Sequence, residues 1–170
     1  LRMYTNGMPF DRCGNKSNND DSALIRMLPL ALFYKEQPHQ LIAESHISTL
    51  LTNGNVTSQV CSAIYSLSMR GLLVNDKTKV SSLLEQYYTI NSKPDHIKAL
   101  KMLLSKRETL ESQPQNAVDI FWQAWYIYLN NNKQFNDCAL KALCVDHTGC
   151  VTALVCSFFG SVHGLSVFDN

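Results

Sequence analysis

Hydrophobic positions along this chain recur mostly at helical spacing, and no segment alternates apolar and polar residues over a useful strand length. From Ser22 to Tyr34 the run ALIRMLPLALFY is apolar almost all round, which predicts a buried helix that Pro29 kinks or breaks. Pro38 stands at a permitted early position of a second helix, PHQLIAESHISTLL. Thr52, Asn53, Gly54 and Asn55 form a turn cluster. The helix after it is predicted from Val56 to Leu72, with Val56, Val60, Ile64 and Leu67 on one face and Gly71 near its end. Helical spacing continues over Asp76 to Ile90 and over Asp95 to Lys106, the second opened by Pro94. Lys106 to Asn116 reads as an exposed connection. Ala117 to Leu129 concentrates Phe121, Trp122, Trp125, Tyr126 and Tyr128 in a core helix that Asn130, Asn131 and Asn132 end. A short helix over Phe135 to Leu143 and a last one over Val151 to Val162 complete the pattern. The expectation is an all-α fold, with a polar irregular lead-in over residues 1–19 and one helical domain over 20–170.

Composition narrows the classes. A chain of 170 residues can bury a core of its own, and a hydrophobic content of 45% argues against disorder. Fifteen Lys and Arg against fourteen Asp and Glu give no electrostatic case for nucleic acid or an anionic membrane. No apolar run reaches the roughly 18 residues of a membrane span. The six cysteines include no CxxC pair. Cys138, Cys144, Cys150 and Cys156 step by about 240° on a helix and so share no face. Buried, reduced thiols in an intracellular, cytoplasmic protein are expected. Asn15-Lys16-Ser17 and Asn55-Val56-Thr57 fit a glycosylation sequon, read as chance without a signal peptide. The chain starts at Leu1 without Met, so an N-terminal part is expected upstream.

Few residues could carry chemistry. Asp146 and Thr148 precede an apolar helix, where their oxygens can cap N–H groups or meet a cation. His147 beside one Asp is no zinc site, and Mg²⁺ needs more oxygens than this turn offers. Cys150 is a nucleophile candidate only if paired with His147 or His163; a buried thiol is the simpler reading. Asp20 and Asp21 suit capping of the helix behind them. Arg26 lies in an otherwise apolar helix, where it must be paired, by an internal salt bridge or by a phosphate or an aspartate in a site. The Trp and Tyr run is core rather than a base-stacking platform.

Three blocks in order resemble the ADP-ribosylglycohydrolase family. Asp20 to Phe33 is similar to GNGALMRxxPLxLF, with Arg26 and Pro29 matched. Ile47 to Asn55, with the helix through Cys61 and Ala63, resembles the family's LTHxxP turn and the helix behind it. The tail from Ala139 resembles AxxxAVNxGGDTDTxAAIxGALAGAxYG, which sets Gly160 and Gly164 on family glycines and Asp146 to Cys150 against GDTDT. The resemblance implies an all-α bundle that cleaves bonds to ADP-ribose with two Mg²⁺ ions, held between a TDDT-like and a DTDT-like motif.

The departures shape the expected function. No TDDT motif is present, and His147 and Gly149 stand at the two aspartate positions, with Cys150 at the final threonine. Asn53 stands for the family histidine, and Asp20-Asp21-Ser22 replaces Gly-Asn-Gly, adding charge and bulk where ADP-ribose would approach. The expectation is a catalytically inactive relative, a scaffold or subunit that binds another protein or a missing N-terminal half, with no cofactor. One alternative is a Mg²⁺-dependent hydrolase removing ADP-ribose from protein side chains, its missing ligands supplied by an N-terminal part. The other is a metal-free ADP-ribose-binding module. Candidate ligand-binding residues are Asp20, Asp21, Ser22, Arg26, Thr52, Asn53 and His147, and vestigial metal ligands are Asp146 and Thr148.

Overall fold

A computed structural model describes residues 7, 9, 12–105, 116–131, 134–145 and 149–164. In chain order the helices are α1 (Ser22–Ile25), α2 (Met27–Phe33), α3 (Pro38–Leu50), α4 (Val56–Val74), α5 (Val80–Ile90), α6 (Pro94–Ser105), α7 (Ala117–Asn131), α8 (Phe135–Val145) and α9 (Cys150–His163). Among the described residues the β-type pairing is confined to one isolated parallel bridge, Asn15 to Asn53, so the fold is all-α. No helix among them is long and apolar enough to cross a membrane. The expected connection over 106–116 lies outside the described residues except for Asn116.

Helix α4 is the axis of the bundle. It packs against α1, α2, α3, α5, α6, α7 and α9, and every residue from Ser58 to Met69 is buried. The expected single apolar face is therefore corrected: Ser58, Ser62, Ser66 and Ser68 are buried as well. Small side chains let neighbouring helices approach on all sides, and a serine hydroxyl can be satisfied locally. Ser45 of α3, for example, lies 2.8 Å from the Ser66 hydroxyl. Asn55 caps α4 by accepting from Ser58 N at 2.7 Å, and Asn75 ends it in the left-handed region at φ 52°. The helix thus runs two residues past the expected Leu72.

Other boundaries moved for physical reasons. Pro29 lacks an N–H for the Ile25 carbonyl, so the first helix breaks at Arg26 and Pro29 falls in the first turn of α2. The segment is also less buried than its composition predicts, since Ile25 is 52% and Phe33 78% exposed. Asp76 does not open α5 but sits in the connection before it. There it takes Arg70 Nη1 at 2.6 Å and the Thr78 N–H and hydroxyl, which hold its carboxyl below the usual range. Asn130 and Asn131 extend α7 instead of ending it, each amide donating at 2.8 Å to the carbonyl four residues back. On α7 Phe121, Trp122 and Tyr128 are core as expected, whereas Tyr126 is exposed. Phe158 of α9 closes the core against Tyr65, Trp125 and Tyr128. No cysteine is in a disulfide; Cys13, Cys61, Cys138 and Cys150 are buried, but Cys144 is exposed.

Where α3 meets α5 and α6, His46 lies between Tyr88 and His96. Its Nε2 is 3.1 Å from the Tyr88 hydroxyl, its ring stacks on Tyr88, and its Nδ1 is buried without a partner. Burial first, then the Lys93 and His96 charges, lower the His46 pKa to about 3. The unfolded imidazole, at its ordinary 6.5, binds a proton that the folded one refuses, so stability is complete above pH 6.5 and falls as pH drops toward 3. The expected slope from His46 is about 1.4 kcal/mol per pH unit in that window. Thermal melts followed by circular dichroism from pH 7.5 to 4.5 check it. His46→Gln should remove this part of the slope while leaving the part due to His96, whose pKa burial lowers to about 4.

Candidate functional site

Residues 13–19, preceding α1, run beside the α3–α4 turn. Asn15 N donates to Thr52 O at 3.2 Å and Gly54 N donates to Asn15 O at 2.8 Å. This approach requires two glycines. A Cβ on Gly14 would collide with Leu50 O and lie 2.8 Å from Gly54 N, and one on Gly54 would lie 2.5 Å from Gly14 O.

The contact delivers the turn's side chains to α1. Asn53 is fully buried, and its Nδ2 donates to Asn18 O at 3.3 Å, Asp20 O at 3.2 Å and Asp20 Oδ1 at 3.1 Å. Asn55 Nδ2 also donates to Asn18 O, and the Thr52 hydroxyl meets Asn53 Oδ1. Asp20 Oδ1 accepts from Ser22 N at 3.1 Å and lies 2.6 Å from the Ser22 hydroxyl, which is itself 3.2 Å from both Thr52 Oγ1 and Asn53 Oδ1. Burial would raise the Asp20 pKa, but hydrogen bonds from Ser22, Asn18 and Asn53 outweigh it and bring it to about 2.

Arg26 joins the same cluster at the break between α1 and α2. Its Nη2 donates to Thr52 Oγ1 at 2.7 Å and to Ser48 O at 2.9 Å, and its Nη1 donates to Ser22 O at 3.2 Å. No carboxylate lies within ion-pair distance of it among the described residues. The expected salt bridge or aspartate contact is thus replaced by contacts to carbonyls, one of them in the last turn of α3, where a cation also meets the negative helix end. Burial lowers the Arg26 pKa, with the Asp20 charge opposing, and Nε is buried without a partner.

The structure brings Asp20, Ser22, Arg26, Thr52 and Asn53 together. Asp21 is the residue before α1 and gives no side-chain cap; the capping carboxylate there is that of Asp20. Asp146, His147 and Thr148 lie outside the described residues. Gly149, the residue before α9, has φ 80°, which glycine adopts freely. Cys150 is buried, and His163 lies at the other end of α9, about 20 Å away, so the two cannot act as a nucleophile and its base. Sequence reasoning missed Gly14, Asn15 and Asn18; the Asn-rich composition of the lead-in was its only signal.

Apart from Arg26 Nε, the chemistry available is that of a network paired within itself. Among the described residues no three His, Cys, Asp or Glu side chains gather to hold a metal. Substitutions at three positions test the architecture by urea denaturation. Gly54→Ala should destabilise by about 1–3 kcal/mol through backbone overlap. Gly160→Ala, where an added Cβ meets nothing within 4 Å, should stabilise α9 by up to about 1 kcal/mol. Arg26→Met should cost about 1–3 kcal/mol by stranding Ser48 O and Thr52, and Arg26→Lys should recover only part of it, because one ammonium cannot span the three acceptors.

A sequence model of the family described as ADP-ribosylglycohydrolase matches residues 1–169. No curated protein and no solved structure matches the chain. The match covers nearly the whole sequence and agrees with the all-α bundle, and on it the chain belongs to the ADP-ribosylglycohydrolase family.

Proposed function

We propose that this chain is a non-hydrolysing member of its family, a helical scaffold that binds another protein or an N-terminal half of its own gene product. The observation that carries the reading is the closure of the polar cluster. Asn53 is fully buried and ties Asp20 to the turn, so the groups that would meet a nucleotide sugar already meet one another. A low Asp20 pKa keeps a negative charge where a pyrophosphate would have to approach.

The donor chemistry does not fit Mg²⁺. That ion takes near-octahedral oxygen ligation, whereas Asp20 Oδ1 is already engaged by Ser22 and Asn53. Gly149, at an aspartate position of the family motif, offers no side chain at all. Incubation with ADP-ribosylated serine and arginine peptides and Mg²⁺ should release no ADP-ribose above the uncatalysed rate. Robust turnover overturns the reading and supports a hydrolase completed by an N-terminal part and Asp146.

One observation favours the metal-free ADP-ribose module as a second reading. Arg26 Nε is a buried donor without a partner beside the cluster, and a phosphate oxygen is the kind of acceptor that would satisfy it. Calorimetric titration with ADP-ribose separates the two: heat of binding without Mg²⁺ favours the module, and its absence leaves the scaffold.

A further inference from the structure

We propose that the α5–α6 hairpin, residues 80–105, is an acid-released flap, latched to α3 and α4 by the imidazoles of His46 and His96. The two helices of the hairpin pack broadly on each other and on α4. Toward α7, a groove of about 480 Å³ lined by Leu100, Leu104, Trp122 and Trp125 takes the place of close packing. Among the described residues, two side-chain hydrogen bonds join the hairpin to the rest of the bundle, and an imidazole makes each. Tyr88 of α5 meets His46 Nε2 at 3.1 Å, and His96 Nε2 of α6 lies 3.3 Å from Gln59 Oε1 of α4. The remaining hold is apolar, through the buried Leu84, Leu100 and Leu103.

The latch is a cluster of rings. His46 stacks on Tyr88 with centroids 5.6 Å apart, and the His96 ring lies 5.1 Å from both. His46 is 4% exposed and its Nδ1 meets no partner, so an imidazolium there holds an N–H with no acceptor. Tyr87 and Tyr88 face His46 from α5, Lys93 from the turn and His96 from α6, with Asp95 beside His96. His39, on α3 itself, packs edge-on against Tyr87, and α4 presents the neutral Gln59. Asp95 is the one carboxylate of this set, and it is ion-paired with neither imidazole among the described residues.

Acid therefore acts on both attachments together. In the closed bundle, burial and then the Lys93 charge hold both imidazoles below their ordinary 6.5. Lifting the hairpin gives both rings to water, where they take protons freely, so the open population grows as pH falls below 6.5. The opening is local because the hairpin packs broadly on one helix of the bundle alone, and α4 keeps its contacts with α3, α7 and α9.

Amide hydrogen exchange of the full chain, read by mass spectrometry at about pH 7.5 and 5 and normalised to intrinsic rates, tests the flap. Protection over residues 80–105 should fall roughly a hundredfold between the two, about tenfold for each imidazole released. At the lower pH it should stand at least about tenfold below the protection of α7 and α9. Equal protection in the hairpin, α7 and α9 at that pH is global unfolding and overturns the proposal, as does hairpin protection that does not fall. His46→Gln and His96→Gln should each shrink the pH-dependent loss about tenfold. A loss undiminished in either folded variant overturns it as well. His96 is only half-buried, so His96→Gln keeps the test decisive should His46→Gln fail to fold.

Discussion

Gly14 and Gly54 lie so close that neither position has room for a Cβ. This places the lead-in against the α3–α4 turn closely enough for Asn15 to exchange backbone hydrogen bonds with Thr52 and Gly54. Those bonds bury Asn53, whose amide then reaches Asp20; Asp20 in turn fixes Ser22 at the start of α1. Arg26, one turn further on, is thereby brought to the end of α3. Each hydrogen bond spans about 3 Å and tolerates little lengthening. A displacement of the two glycine backbones by the width of one methyl group would therefore loosen every later member of the chain of contacts.

The parts of the fold legible in the sequence are those whose physics is local. Pro38 and Pro94 open helices because their missing N–H groups fall where none is needed, and Asn55 caps α4 with its own side chain. The break at Arg26 was half legible: Pro29 announced it, but the i−4 rule and not the proline's own position sets where it falls. The burial of Ser58, Ser62 and Ser66 was not legible, because it depends on neighbours arriving from distant parts of the sequence. Gly14 gave no sign either. Its backbone is unexceptional, and only the space that Gly54 occupies makes it a glycine. Arg26 stood out as a charge in an apolar run, whereas Ser22, Thr52 and Asn53 became site candidates through a family resemblance. Periodicity within a helix carries no information about contacts spanning about thirty residues.

Low pKa values at an acid are often taken as a sign of a site, but the cause matters more than the direction. Asp20 is held down by neutral donors from its own loop and turn, and not by the Arg26 guanidinium, which bonds to carbonyls and a hydroxyl instead. Such a carboxylate is an organising acceptor, its Oδ1 shared between Ser22 and Asn53. Unmet groups are the better guide to binding. Among the described residues of this protein they include Arg26 Nε, His46 Nδ1 and Ser62 Oγ. His46 is sealed between rings and answers to protons alone, whereas Arg26 Nε lies beside the polar cluster at the α3–α4 turn.

Helix α4 explains why the two ends of the bundle differ. Along its amino half, small serines allow α3 and α6 to close in, and the polar turn at its start is sealed by the lead-in. Past Ser68 the geometry changes, because α5 does not begin until Val80. The intervening connection is held out by the Arg70–Asp76 pair and by Asp76 gripping Thr78, which ties its path to α4 instead of letting it collapse onto α7. Lys79 is the next residue, and its position beside the groove follows from that tether. The tether therefore leaves, toward the far end of α4, a volume bordered by Trp122 and Trp125 that no side chain of the described residues fills.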